Sequence, residues 1–358
     1  MIDTIQEKGI SVILCCYNSA ARISKTLQSL ACQQLIETHP YEVVLVNNNS
    51  SDNTAAVAAS EWKSYNTEVP LRIVDEPVAG LMHARKKGMD VAAYDFLVFC
   101  DDDNWLSAQY LKTALALLFQ DNSIAACGGQ GIPVFDSSKP DWFDEYAEAF
   151  ASGPQSVRNS NGRLLCLYGA GLTIRKKAVQ DLYRKGFHSV LTGRKAGALS
   201  SGEDTELTNA LVLAGYRLVY SPDLFFYHYM PAPRMNTGYL RRLFLSFGQE
   251  GPVRNLYHAY LEPAGPHRWM KNWSLHVTAA LIRMLKYLLV PPKQSARKIY
   301  FLWSLAYLKS LWKLRAAYPH IRKNIERICD QASLQRPVEI NVLSVLISGH
   351  DCSIPRYR

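Results

Sequence analysis

Short apolar runs alternate with helical patterns along the first hundred residues, and this alternation limits the possible folds more than any other feature. The apolar runs cover residues 10–16, 41–46, 71–74 and 96–100, and helix-compatible segments separate them. Strands that alternate with helices in this way form a parallel sheet with helices on both faces. The sequence therefore predicts an α/β fold built on a mostly parallel sheet.

Polar clusters follow three of these runs, at the points where the strands should end. Tyr17 and Asn18 follow the first run, an Asn-rich segment at 47–53 follows the second, and three aspartates at 101–103 follow the fourth. Parallel sheets bind their ligands beyond the carboxyl ends of the strands. Three consecutive carboxylates repel one another unless a cation such as Mg²⁺ or Mn²⁺ neutralises them. A solvated acidic turn before a helix near Ser107 is the alternative interpretation.

A second acidic pair stands at the start of a later helix. Glu203 and Asp204 precede a helical pattern that Gly215 closes. Taken alone, such a pair is usually part of an N-cap with acidic residues in the first turn. An apolar run at 218–227 follows and leads directly into His228.

Five segments in the same order resemble the family 2 glycosyltransferases. They are residues 10–18, 47–54, 80–88, 101–103 and 201–216, and the resemblance covers about residues 9–248. It implies a Rossmann-like nucleotide-binding fold of the GT-A type and inverting transfer of a sugar from a nucleotide-diphosphate sugar. We therefore expect residues 1–248 to form a GT-A domain.

The resemblance also implies which residues contact the donor. In the family an aspartate holds the edge of uracil, which favours a UDP-sugar. Here Asn48 stands in that place, and because an amide offers both a donor and an acceptor, the identity of the base stays open. Arg85 matches an arginine of the family that can face the nucleotide or its phosphates. The expected nucleotide-sugar contacts are Cys15, Cys16, Tyr17, Asn18, Asn48, Ser50, Asp52, Arg85, Asp101 and Asp102.

The same resemblance implies the catalytic and metal-binding groups. Asp204 is the expected catalytic base, with Glu203 beside it, because an inverting transfer needs a carboxylate to remove the proton of the acceptor hydroxyl. Asp101 and Asp103 resemble the family's metal-binding DxD pair, and His228 is a candidate third ligand for Mg²⁺ or Mn²⁺. Ordinary burial in the core is the alternative for His228. Three further candidates to line a path for phosphate are Arg234, Arg241 and Arg242.

The last third of the chain has a different composition. Residues 264–324 contain twelve Lys and Arg and no Asp or Glu, which exceeds the net charge of +9 of the whole chain. Two apolar helical stretches at 272–290 and 299–314 flank Pro291-Pro292, and their uncharged runs fall short of the ~20 residues of a membrane span. Residues 249–358 are therefore expected to form basic amphipathic helices at an anionic membrane surface. A helical subdomain packed on the core is the alternative.

Cysteine usage and the N-terminus indicate a compartment. The eight cysteines are scattered, without the spacing of a zinc site, and the first nine residues lack the basic start and apolar core of a secretion signal. We expect a reduced, cytoplasmic protein, peripheral on the inner face of the cell membrane.

The predicted function combines these features. We expect metal-dependent, inverting transfer of a single sugar to a hydroxyl of a glycan or polyprenyl-linked acceptor, in assembly of a surface polysaccharide or glycolipid. The Gln-x-x-Arg-Trp motif of processive members is missing. Nucleic acid is not an expected partner, since no recognised nucleic-acid motif accompanies the charge. A sugar-phosphate nucleotidyltransferase and a catalytically silent membrane-bound scaffold of the same fold are the alternatives.

Overall fold

The computed structural model describes residues 9–34, 39–159, 162–194, 201–289 and 297–333, and the predicted alternation of strands and helices is present from the first of these residues. The first half contains β1 Ile10–Cys16, α1 Ile23–Ala31, β2 Tyr41–Asn48, α2 Thr54–Ser64, β3 Leu71–Glu76, α3 Leu81–Val91, β4 Phe96–Asp101, β5 Asn104–Leu106, α4 Tyr110–Gln120 and β6 Ile124–Phe135.

The second half is richer in helix. It contains β7 Thr173–Arg175, α5 Lys176–Arg184, α6 Glu203–Leu213, β8 Arg217–Met230, α7 Thr237–Leu261, α8 Trp273–Leu289, α9 Arg297–Lys313 and α10 Tyr318–Ser333. Short 3₁₀ helices cover Phe143–Phe150, Ala232–Arg234 and Arg268–Lys271. The predicted break at Pro291-Pro292 and the N-terminal residues 1–8 lie outside the described residues.

The eight strands form one mixed sheet in the order β3-β2-β1-β4-β7-β6-β8-β5. The pairs formed by β3, β2, β1 and β4 are parallel, as is the pair of β6 with β8. The strand β7 runs antiparallel to β4 and β6, and β5 runs antiparallel to β8. The predicted α/β class is confirmed, and the parallel half carries β1, β2 and β4 with their carboxyl ends at one edge.

The central strands are mostly apolar because both of their faces are covered. Ile13 and Val44 belong to the core on one face of the sheet, and Val12 and Val43 belong to the core on the other. Successive side chains of a strand point to opposite faces, so a strand covered on both sides has few polar positions. Ser11 of β1 and Glu42 of β2 are exceptions, and their side chains form a buried hydrogen bond at 2.8 Å. This is why short, mostly apolar runs locate these strands in the sequence.

The C-terminal helices pack on the α/β core. Tyr307, Leu311, Ile325 and Ile328 are fully buried and share one core with residues of the sheet. The helix α7 runs without interruption through the predicted boundary between residues 248 and 249. One face of these helices is therefore packed on the core, as in the alternative of a packed helical subdomain. The division into two domains stays a prediction.

A second face of the same helices is exposed and apolar. On α8 the exposed side chains form a stripe, the α8 outer stripe, which consists of Leu275, Leu281, Ile282, Leu285, Leu288 and Leu289. Trp269 and Trp312 are 56% and 59% exposed, and the ring of Trp312 lies 5.9 Å from that of Trp273 at the start of α8. No helix within the described ranges combines the length and the apolar character that crossing a bilayer requires.

A candidate active site beyond the strand ends

A cleft of about 1250 Å³ lies beyond the carboxyl ends of β1, β2 and β4. It joins the end of β4 to the start of α6, so the aspartates at 101–103 and Asp204 face one space although about a hundred residues separate them. The sequence-predicted residues that line it are Cys15, Cys16, Tyr17, Asn48, Arg85, Asp101, Asp102, Asp103, Glu203, Asp204, His228, Arg234 and Arg242.

Asp103 is the most strongly held of the three aspartates. Its Oδ2 accepts a hydrogen bond from Arg234 Nη1 at 2.6 Å, and its Oδ1 accepts one from the amide of Asn104 at 3.1 Å. Burial opposes ionisation of this carboxyl, but the neighbouring positive charge of Arg234 outweighs it and holds the pKa at about 2. Asp103 is therefore a buried carboxylate whose charge an arginine neutralises.

Asp102 serves the architecture of the cleft. Its Oδ2 accepts hydrogen bonds from Ser19 Oγ and from Arg22 Nη2, and its backbone carbonyl accepts one from Thr26 on α1. Burial and the charge of Asp103 raise the pKa of Asp102 to about 6. These contacts attach the end of β4 to the start of α1. They also explain why Asp102, which was expected to contact the donor, is buried.

His228, Asp103 and Asp101 are the candidate ligands for a divalent cation at this edge. His228 Nε2 lies 3.6 Å from Asp103 Oδ1, and burial lowers the pKa of His228, which leaves the ring neutral and its electron pair available. Asp101 lines the cleft at the same edge and makes no hydrogen bond or ion pair through its carboxylate in the part of the chain described. No three His, Cys, Asp or Glu side chains of the described ranges are grouped closely enough to hold a metal by themselves. A cation here would take further ligands from a substrate, as Mg²⁺ does at phosphates.

Asp204 is fixed by two backbone amides at the start of α6. Its Oδ2 accepts a hydrogen bond from Gly169 N at 2.5 Å, and its Oδ1 accepts one from Thr205 N at 2.7 Å. A Cβ atom on Gly169 would collide with the guanidinium of Arg85 and would lie 3.0 Å from Asp204 Oδ2. Only a glycine at position 169 therefore allows the chain to approach Asp204 closely enough for this hydrogen bond.

Glu203 and Arg85 form a buried ion pair behind Asp204. Arg85 Nη1 lies 3.1 Å from Glu203 Oε1, both side chains are buried, and the guanidinium lies over the ring of Phe99 at 5.0 Å. Burial and the charge of Asp204 raise the pKa of Glu203 to about 7, against the opposing effect of Arg85. Arg85 was expected to face the nucleotide; its contact with Glu203 gives it a role in positioning the start of α6.

Three of the predicted donor contacts are not among the described residues that line the cleft. Asn18 N donates to Ser50 Oγ at 3.1 Å, and Asp52 accepts from the backbone amide of Ala20 at 3.1 Å. Asn18 Oδ1 in turn accepts from the backbone amide of Ser51. These polar side chains connect the loop after β1 to the loop after β2. Their contact with the nucleotide stays a prediction, and the contacts seen hold the two loops together.

Asn48 lines the cleft, but its amide is committed to a neighbouring loop. Nδ2 donates to the carbonyls of Glu76 and Val78 at 3.0 and 2.7 Å, and Oδ1 accepts from Gly80 N at 2.8 Å. Both donor hydrogens are used, so only an acceptor lone pair of Oδ1 remains for a ligand. Asn48 therefore shapes the loop between β3 and α3 next to the cleft.

Sequence reasoning missed several residues that extend the cleft over the C-terminal helices. Glu250, Arg254 and His258 lie on α7, and Arg283 lies on α8, and all of them line the same cavity. The spacing of four residues places Glu250, Arg254 and His258 on one face of a helix. That spacing was visible in the sequence, but only the packing of α7 against α6 shows that this face looks into the cleft.

Comparison with known proteins gives a consistent result. Residues 11–183 match the family described as "Glycosyl transferase family 2". The succinoglycan biosynthesis protein ExoM of Rhizobium meliloti (strain 1021) is 23% identical over 273 residues, which cover 76% of this chain and 81% of ExoM. The putative glycosyltransferase EpsH of Bacillus subtilis (strain 168) is 24% identical over 123 residues, and the match spans only 34% of either protein.

A solved structure with a related arrangement is that of S. aureus TarS 1–349 in complex with UDP-GlcNAc. The superposition covers 94% of each chain, with 16% sequence identity and a TM-score of 0.49.

Proposed function

We propose, from the match of residues 11–183 to glycosyl transferase family 2, that the chain transfers one sugar, with inversion, from a nucleotide-diphosphate sugar to an acceptor hydroxyl. A UDP-sugar is the favoured donor. The observation that supports this reaction best is the common cleft of the aspartates at 101–103 and Asp204, whose carboxylate two backbone amides hold in place.

The donor is proposed to lie along the strand ends. The nucleoside occupies the side formed by Cys15 to Tyr17 and Asn48, and the diphosphate lies toward Asp103, His228 and Arg234. Asp103 and His228, with Asp101, would hold a Mg²⁺ or Mn²⁺ ion, which supplies positive charge to the leaving diphosphate when it is bound. Arg234 lies against Asp103 and adds a fixed cation at the same edge.

Asp204 is proposed as the general base. The oxygen of the acceptor hydroxyl bonds to the anomeric carbon, its proton passes to Asp204, and the bond from that carbon to the donor's phosphate oxygen breaks to release the nucleoside diphosphate. The amides of Gly169 and Thr205 hold the carboxylate in one orientation. The ion pair of Arg85 with Glu203 fixes the first turn of α6 behind it.

The location of the reaction is proposed from the C-terminal helices. The α8 outer stripe and the exposed Trp269 and Trp312 suit the boundary between headgroups and acyl chains, where basic residues beside them meet anionic phosphates. We infer a peripheral protein on the inner face of the membrane, with a glycan or lipid-linked acceptor.

Thermal stabilisation and donor hydrolysis test the proposed reaction. Purified protein is screened with UDP-, GDP- and dTDP-sugars and Mn²⁺, because a ligand that binds the folded state raises its melting temperature. With the donor so found, Asp204→Asn is expected to lower hydrolysis and transfer by at least about a hundredfold and to keep donor binding. The exposed Asp223→Asn is the matched control. Wild-type turnover in Asp204→Asn, or no hydrolysis of any donor, contradicts the proposal, and the second result favours a silent scaffold.

A further inference from the structure

A second group of polar side chains lines the cleft beyond Asp204. It consists of Arg254 and His258 on α7, His267 before α8, and Arg283 on α8, and we call it the α7–α8 cluster. We infer that this cluster binds the phosphate or diphosphate of a lipid-linked acceptor. The inference rests on the proposed function and names the chemical class of its acceptor.

The four residues of the cluster are half-buried. The rings of His258 and His267 lie 5.7 Å apart, edge to face. The guanidinium of Arg283 lies over the rings of Trp303 and Tyr307 at 4.7 and 4.4 Å. Stacking on two rings holds this guanidinium in one place, which is what recognition of a phosphate by an arginine requires.

Three atoms of the cluster are buried and lack a hydrogen-bond partner among the described residues. They are Nη2 of Arg283, Nε2 of His258 and Nδ1 of His267. Arg283 also makes no ion pair in the described ranges. Arg254, by contrast, pairs with Glu250, with 3.5 Å between Nη1 and Oε1. Burying a cation without a counter-charge costs free energy. An anion with several acceptor oxygens would satisfy these groups together.

The electrostatic surroundings of the cluster favour an anion as well. Arg254 and Arg283 bring two positive charges, and Glu250 is the nearest acidic group on α7. Burial lowers the pKa of His258 to about 3, with the charges of Arg254 and His267 acting in the same direction, so that ring is neutral and offers a hydrogen bond. Glu262 faces His267 from the end of α7.

The position of the cluster assigns it to the acceptor. Ser201 Oγ donates to Glu250 Oε2 at 2.9 Å, so Glu250 borders the start of α6, where Asp204 stands. Arg254 and His258 follow Glu250 by one and two helical turns. In an inverting transfer the acceptor lies on the side of the base and opposite the leaving diphosphate. An anion held here therefore belongs to the acceptor, since the donor diphosphate faces Asp103.

The exposed apolar side of α8 suits an acceptor that carries a lipid. Arg283 faces the cleft, and Leu281, Ile282 and Leu285 are exposed on the opposite side of the same helix. A helix with its side chains is about 10–12 Å across. With the α8 outer stripe at the interface, a phosphate bound under α8 lies about one helix diameter from it, at the depth of lipid headgroups.

Calorimetric titration of the full chain tests the inference. Geranylgeranyl diphosphate is titrated in the presence of saturating UDP and Mn²⁺, which occupy the donor side. We expect Arg283→Gln and, separately, Arg254→Gln to weaken binding by at least about tenfold. Lys286→Gln, an exposed cation on the same helix, is the matched control and should change the affinity by less than about twofold. A UDP titration verifies that each variant is folded.

Two further probes separate the sources of the phosphate. Inorganic pyrophosphate should compete with geranylgeranyl diphosphate at the cluster, and vesicles of phosphatidylglycerol should bind wild type and Arg283→Gln alike. Unchanged affinity for geranylgeranyl diphosphate in both arginine variants overturns the inference. The inference is also overturned if geranylgeranyl diphosphate loses affinity only for Asp103→Asn, a variant of the donor side. It is overturned as well if Arg283→Gln no longer binds the vesicles. Absence of donor hydrolysis in the wild type is the separate failure of the proposed function.

Discussion

Arg234 Nη1 lies 2.6 Å from Asp103 Oδ2, and this contact joins the end of β4 to the segment after β8. The side chain of Asp103 is only 4% exposed and that of Arg234 is 21% exposed. A carboxylate as deeply buried as Asp103 needs a counter-charge. Arg234 supplies that charge, and it stands where a donor diphosphate is proposed to lie.

Arg234→Ala should make the protein dependent on a divalent cation for stability. Removal of one partner of a buried ion pair costs about 3 kcal/mol or more, because the other charge stays buried. In EDTA the variant should melt well below wild type, and Mn²⁺ should raise its melting temperature more than that of wild type. Scanning fluorimetry measures both, with the exposed Arg241→Ala as control. An equal Mn²⁺ response in the two proteins contradicts the role of Arg234 as counter-charge.

Gly169→Ala should disable the site with little effect on the fold. The added methyl collides with Arg85 and with the carboxylate of Asp204, so the hydrogen bond that orients this carboxylate is lost. A small misplacement of a catalytic group can cost about a hundredfold in rate. Donor hydrolysis and transfer are measured beside Gly162→Ala, an exposed position where no atom lies within 4 Å and where the positive φ of 75° strains an alanine without touching the site. Equal activity in the two variants would show that Asp204 does not need this orientation.

Asn48→Asp should destabilise the chain although it restores the aspartate that the family carries. A carboxylate would face the carbonyls of Glu76 and Val78, which now accept hydrogen bonds from Nδ2. Buried acceptors that lose their donors cost about 1–3 kcal/mol each. We expect a lower midpoint in urea unfolding, while the exposed Asn53→Asp leaves the midpoint near that of wild type. A variant as stable as wild type would mean that the loop rearranges around the carboxylate.

The strands of the parallel half could be predicted from sequence. The hydrogen-bond partners of the polar residues at their ends could not. Burial on both faces leaves β1, β2 and β4 mostly apolar, and this pattern is readable in one chain. Asn18 and Asp52 are polar loop residues at strand ends, as ligand contacts also are. Their hydrogen bonds to the backbone of each other's loops depend on how the fold brings the two loops together.

The same holds for the acidic residues, whose location could be predicted from sequence but whose partners could not. The clustering of three aspartates at 101–103 pointed to the right edge of the sheet, because carboxylates in a row need compensation. Their different uses depend on partners far away in sequence, namely Arg22 for Asp102 and Arg234 for Asp103. A single arginine in a loop carries no local pattern that would identify its partner.

Glu250→Gln should stabilise the protein at high pH. Burial raises the pKa of Glu250 from 4.5 to about 7, so between these values the folded state binds more protons than the unfolded state. The contribution of this group to stability therefore falls as the pH rises through that window, by about 3 kcal/mol in total. Glutamine removes this dependence, so the variant should exceed wild type at pH 8 and match it at pH 4.5.

Urea unfolding at both pH values checks this prediction. Glu68→Gln makes the same substitution at an exposed position and should leave the pH dependence of wild type unchanged. A Glu250→Gln variant that is less stable than wild type at pH 8 would mean that the carboxylate is ionised and stabilising where it lies, against Arg254 and Ser201.

Charges on the α8 outer stripe should release the protein from vesicles. Ile282 and Leu285 are 62% and 54% exposed, and each apolar side chain of this size contributes about 1.5–3 kcal/mol when it leaves water. Ile282→Glu and Leu285→Glu should each lower sedimentation with phosphatidylglycerol vesicles by about tenfold or more, and added salt should weaken the binding of wild type. Val78→Glu, at a residue 52% exposed beside the donor side, is the matched control. If Ile282→Glu and Leu285→Glu both sediment like wild type, the stripe does not contact the membrane. The basic residues of the C-terminal helices alone would then have to account for any binding.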